Sequence, residues 1–107
     1  MDRNEIILRI SQIRTKAGLS ARQLSNLIDM NDGYINRLES KKDFLPSVEV
    51  LINIISACGC TPAQFFYNDI DTYKGDMQIL DIVKGADTET RQVINDIFTT
   101  INKAGAN

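Results

Sequence analysis

The stretch SARQLSNLIDMNDGYINRLES, Ser20 to Ser40, decides how the rest of the chain is read. Ser20 with Gln23 three residues on is a capping box. The hydroxyl takes the Gln23 amide, while the Gln23 side chain reaches back to the Ser20 amide. The helix opened in this way carries Leu24, Leu27 and Ile28 at helical spacing and has barely two turns before Asp29-Met30-Asn31. Asn31 is a good N-cap for a second short helix that holds Ile35 and Leu38 inward. The reading is two short helices joined by a three-residue turn.

Helical spacing continues outward on both sides. Ile6, Ile10, Ile13 and Ala17, with Ile7 and Arg14 adjoining, predict a helix over residues 4–17 that Gly18 stops. Past the polar loop Lys41-Lys42-Asp43-Phe44-Leu45, Pro46-Ser47 starts a fourth helix. Its apolar face is Val48, Leu51, Ile52, Ile55 and Cys58, and Gly59 ends it. Thr61-Pro62-Ala63-Gln64 is a second capping box with proline at the first helical position, and it opens a fifth helix carrying Phe65 and Phe66. Asn68–Gly75 reads as a polar connector. Met77, Leu80 and Val83 then give a short helix ended by Gly85. Val93, Ile94, Ile97, Phe98 and Ile101 form the stripe of a longer one, capped by Asp87 or Thr88. No alternating run is long enough for a strand. The predicted class is all-α: a five-helix domain over 1–68 and a two-helix extension over 69–107.

Composition excludes more than it asserts. The 107 residues are 43% hydrophobic and 24% charged, ordinary for a globular chain with a modest core. No apolar run approaches the ~20 residues of a membrane span, and the polar start Met1-Asp2-Arg3-Asn4-Glu5 has no signal-peptide core behind it. With no histidine, Ser-His and Cys-His nucleophile pairs and His-ligated metal sites are ruled out. Cys58 and Cys60 cannot hold a structural zinc alone and read as small core hydrophobes. Asp69, Asp71 and Gly75 fail as a calcium loop, because Tyr73 and Leu80 stand at ligand positions. Neither an enzyme nor a metal, cofactor or small-molecule ligand is expected. Residues 1–44 carry eight Lys/Arg against six acids and residues 45–107 four against eight. The overall balance is acidic, with any basic face confined to the first part.

A capped short helix, a turn and a second short helix fit a helix-turn-helix, whose second helix enters the DNA major groove, although a plain αα-hairpin shares the periodicity. The residues go further. Arg14, then Gly18-Leu19-Ser20, then Gln23-Leu24-Ser25 resemble the opening of a lambda-repressor-like helix-turn-helix of the Xre/Cro type. Tyr34-Ile35-Asn36-Arg37-Leu38-Glu39 is similar to its recognition helix. Leu45-Pro46-Ser47 with Leu51, and Gly59-Cys60-Thr61 with Phe65-Phe66, resemble its fourth and fifth helices. The resemblance covers about residues 6–67 and does not extend to residues 69–107. Where the family commonly has glycine this chain has Asp29, which tolerates a left-handed backbone better than most residues. Where alanine is frequent it has Ser25, and the first turn of the recognition helix is Asp32-Gly33.

The resemblance implies a cytoplasmic, sequence-specific DNA-binding regulator, a repressor by analogy. The outward stripe offers Asp32, Gly33, Asn36 and Arg37 to the bases. Asn pairs with adenine and Arg with guanine, whereas Asp32 repels phosphate unless it accepts from a cytosine amino group. Arg22, Lys41 and Lys42 are placed to grip the phosphate backbone, with Ser20, Gln23 and Ser40 as further phosphate contacts. Few base contacts per subunit call for two-fold binding, so the extension is assigned to a homodimer. Arg14 borders the first apolar stripe, and Glu39 sits beside Leu38 and four residues after Ile35. An ion pair between them would tie the first helix to the third, and the resemblance implies the same. The alternative is an antitoxin-like or adaptor module with weak or lost DNA recognition, which Asp32-Gly33 and the acidic balance favour.

Overall fold

A computed structural model describes residues 1–40 and 44–105. Among them are seven helices and no strand: α1 (Arg3–Lys16), α2 (Ala21–Leu27), α3 (Tyr34–Ser40), α4 (Val48–Ala57), α5 (Pro62–Phe65), α6 (Tyr73–Gly85) and α7 (Thr88–Gly105). A single 3-10 turn, Ile70–Thr72, precedes α6. The chain is all-α, and it divides into two compact units, Met1–Ile70 and Asp71–Asn107.

Local chemistry sets most helix starts in the first unit. Asp2 accepts from the Glu5 amide at 2.9 Å, Ser47 from Val50 at 3.2 Å and Thr61 from Gln64 at 3.1 Å. Ser20 and Gln23 close both bonds of the capping box. Each oxygen satisfies an amide that the helix itself leaves unpaired.

Three helices end in one way. The amides of Leu19, Met30 and Cys60 bond the carbonyls of Arg14, Ser25 and Ile55, five residues back, at 2.9–3.1 Å. In each the preceding residue is left-handed: Gly18 (φ 72°), Asp29 (φ 58°) and Gly59 (φ 70°). That conformation costs glycine nothing and an L-residue energy. Asp29 also puts a negative charge at the negative end of α2. Asp29→Gly is therefore expected to stabilise the protein by about 0.5–1 kcal/mol, read as a higher urea midpoint at unchanged slope.

The core of the first unit joins Ile7, Ile10 and Ile13 of α1, Leu24 and Ile28, Tyr34, Ile35 and Leu38 of α3, Ile54 and Ile55 of α4, Phe65 and Ile70. Leu27, Val48 and Ile52, assigned from spacing to inner faces, are exposed instead, and so is Ala17. In helices of two or three turns several apolar stripes satisfy the same spacing, and neighbours choose between them. On α4 the choice falls on Ile54 and Ile55, with Val50, Leu51 and Cys58 packed alongside. The polar connector is also shorter than its composition predicts. Ile70 is drawn into the core, and α6 begins at Tyr73.

One buried cation has no precedent in the sequence reading. Arg9 is only 7% exposed. Its guanidinium donates to the carbonyls of Phe65 at 2.7 Å, Tyr67, and Asn68 at 3.0 Å, and to Glu5 Oε1 at 3.3 Å. Phe65 ends α5, so from α1 Arg9 satisfies the helix's last carbonyl and two in the chain just beyond it.

In the second unit Asp87 caps α7, accepting from the Thr90 amide at 2.7 Å. That bond holds the Asp87 carboxyl below its usual range. Arg91 reaches back to the α6 carbonyls of Val83 at 2.9 Å and Lys84 at 3.3 Å, fixing the turn between the helices. Beyond the turn α6 and α7 pack little on each other. None of their described side chains is buried. Val93, Ile97, Phe98 and Ile101 each remain about half exposed on α7, as does Ile79 on α6, and Ile82 is more exposed still. No described helix is long and apolar enough to cross a membrane.

Candidate nucleic-acid interface

The outer face of α2 and α3 is set by what holds their inner faces. Leu24, Ile35 and Leu38 are fully buried. Asn36 and Arg37, on the opposite side of α3, are exposed. Residues three or four apart share a helix face, so burying Ile35 and Leu38 turns Asn36 and Arg37 to solvent together.

The approach to α3 differs from the sequence reading. Asp32 and Gly33 form a turn closed by the Tyr34 amide on the Asn31 carbonyl at 3.0 Å, and the helix begins at Tyr34. Asp32 and Gly33 thus precede the recognition helix rather than making its first turn. Asn31 does not cap that helix. Its Oδ1 accepts from Arg37 Nη2 at 3.2 Å. The amide near the start of α3 is satisfied from α2 instead. Fully buried Ser25 accepts from the Ile35 amide at 3.0 Å and donates to the Ala21 carbonyl at 2.7 Å. Ser25 is one of the departures from the family pattern, and its hydroxyl locks the two helices together. Its inward position beside Leu24 and Ile28 was the available signal.

Arg14 and Glu39 meet in a bidentate pair, Nε to Oε1 at 2.7 Å and Nη2 to Oε2 at 3.0 Å. The hydrogen bond that Arg14 donates to Glu39 is the main reason the Arg14 pKa stands above its usual value. Arg14 Nη1 also donates to the Leu19 carbonyl at 3.0 Å. One guanidinium therefore joins α1, the loop before α2, and α3.

The phosphate candidates fall into four groups. Ser20 and Gln23 form the box at the start of α2, where the capping bonds use their oxygens as acceptors and leave the donor hydrogens outside the box. Ser40 donates to the Asn36 carbonyl at 2.6 Å, a bond within α3. Arg22, two residues after Ser20, is 3.2 Å from the Asp32 carboxylate. Spacing alone did not link a base candidate to a phosphate candidate in this way. Lys41 and Lys42 lie outside the described residues.

Cys58 and Cys60 are partly buried against the core, and desolvation raises both thiols, Cys58 to about 11. Such thiols stay protonated and unreactive near neutral pH. Among the described residues no group of three or more Cys, Asp or Glu comes together as a metal site.

Comparison with known families places this geometry. The model of a helix-turn-helix family matches residues 10–65, just over half of the chain. Searches of curated proteins and of solved structures give no match.

Proposed function

The chain belongs to the lambda-repressor-like helix-turn-helix family of DNA-binding regulators, and from that premise we propose that it is a cytoplasmic repressor that binds a two-fold operator as a homodimer. Two copies lay α3 in successive major grooves about 34 Å apart, and the bound dimer blocks access sterically. Asn36 and Arg37 read base edges. Arg22, Lys41 and Lys42 hold phosphates, with Ser20, Gln23 and Ser40 as lesser contacts. The observation that carries this reading is the outward pair Asn36 and Arg37 on a helix fixed at its start by Ser25 and near its end by Glu39.

Selection of bound sequences from a random duplex pool tests it. The expected product is a two-fold site with half-sites about 10 base pairs apart, bound with a steep log–log dependence on salt. A pool that yields no enriched sequence favours the adaptor reading and overturns the regulator.

On the selected site, Arg37→Ala and Asn36→Ala are each expected to cost about 1–3 kcal/mol and to relax preference at one position of each half-site. Lys41→Ala should weaken all sequences alike. Competition gel shifts against single-base variants of the site separate the two patterns. Unchanged preference in both α3 variants counts against the assignment.

A further inference from the structure

The turn between α2 and α3 holds both arginines of the outer face. Asn31 accepts from Arg37, and Asp32 pairs with Arg22. The two holds differ in charge. Arg37 can leave a neutral carboxamide for a base, and water restores the lost bond. When Arg22 leaves for a phosphate, a carboxylate stays behind, unpaired and facing the negative field of the duplex.

One base edge relieves that situation. In the major groove cytosine presents an amino donor that a carboxylate accepts from, whereas guanine and thymine present acceptors, and adenine sets an acceptor beside its donor. We propose that Asp32 determines specificity by acting through Arg22. On non-cognate DNA the carboxylate keeps Arg22 from the phosphate. Over a cytosine the amino group takes its place, and the guanidinium is released to the backbone. This rests on the regulator reading above and adds to it a penalty on wrong sites, a common source of discrimination. Asp32 is in this sense a positioning residue on non-cognate DNA and a base contact only on the cognate site.

The test uses the full chain and Asp32→Asn, which keeps the shape and removes the charge, on the selected site and on a scrambled duplex across a salt series. On scrambled DNA the affinity is expected to rise about fivefold, the scale of one exposed ion pair. Its log–log salt slope should steepen by about 0.9, one more phosphate neutralised. On the selected site affinity should stay level or fall, and a fresh selection with the variant should lose one cytosine preference in each half-site. In an Arg22→Met background the same change at Asp32 should no longer steepen the slope. A mere loss of stability does not produce that signature. If the parent selects its site but Asp32→Asn leaves the scrambled affinity and slope unchanged, the coupling is wrong and the regulator reading stands. If the parent binds no DNA, the regulator reading fails and this proposal with it.

Discussion

Replacing Glu39 with leucine is expected to destabilise the protein by about 2–4 kcal/mol in urea unfolding, and replacing Arg14 with methionine by at least as much. The size follows from burial. Both side chains are only 18% exposed, so neither charge can turn fully to water once its partner is gone. An exposed pair of the same geometry would contribute under ~1 kcal/mol. The double variant should lose far less than the sum of the two singles, because two apolar chains of similar volume fill the site without a stranded charge. The coupling energy of the cycle is therefore the readout. Additive losses would show that the short bidentate contact contributes nothing of its own. Arg14 also holds the Leu19 carbonyl at 3.0 Å, so its removal loosens the loop ahead of α2 as well. Arg14→Met should on that account be the more damaging single.

Much of this fold is legible in the sequence because helix ends are local events. Ser20 with Gln23, Ser47 and Thr61 announce starts, and Gly18 and Gly59 announce left-handed stops, each within four or five residues. Inner faces are less local. Leu24, Leu27 and Ile28 all fit one side of a two-turn helix, and only the packing of α3 and α4 leaves Leu27 outside. Two arginines, Arg9 buried and Arg14 partly buried, make a sharper contrast. The reasoning that singled out Arg14, a cation at core spacing that needs a partner, applies equally to Arg9, three residues after Ile6 and four before Ile13. Arg9 escaped because three of its four acceptors are backbone carbonyls more than fifty residues away, and carbonyls have no sequence signature. The Arg22–Asp32 pair is hidden for a related reason: its members are ten residues apart, Arg22 on α2 and Asp32 in the turn before α3, whose geometry the spacing does not fix.

On the proposed function, ending the chain after Gly85 is expected to leave the first unit folded and to lower operator affinity by about a hundredfold or more. The first unit survives because every residue of its buried core lies between Ile7 and Ile70. The affinity falls because a dimer delivers its second α3 at an effective concentration set by the tether, and a monomer loses that gain, typically 10²–10⁴-fold. The reason to place the dimer contact in the second unit is energetic. Helices the size of α6 and α7 are marginal in water unless an apolar face is covered. Here Val93, Ile97, Phe98 and Ile101 line α7 half exposed, and no described side chain of either helix is buried. In the proposed homodimer a second copy would cover the same face on both subunits about one two-fold axis. The symmetry then matches that of a palindromic operator. Ile97→Glu with Ile101→Glu in the full-length chain should repeat the loss without shortening it, since two carboxylates on the stripe would be buried unpaired in any such interface. Binding to an isolated half-site should be unchanged in both variants, which separates failed dimerisation from a damaged reading head. Sedimentation that finds the same self-association with and without residues 86–107 would place the dimer contact elsewhere. The exposed Leu27, Val48 and Ile52 of the first unit would then be the next apolar surface to examine.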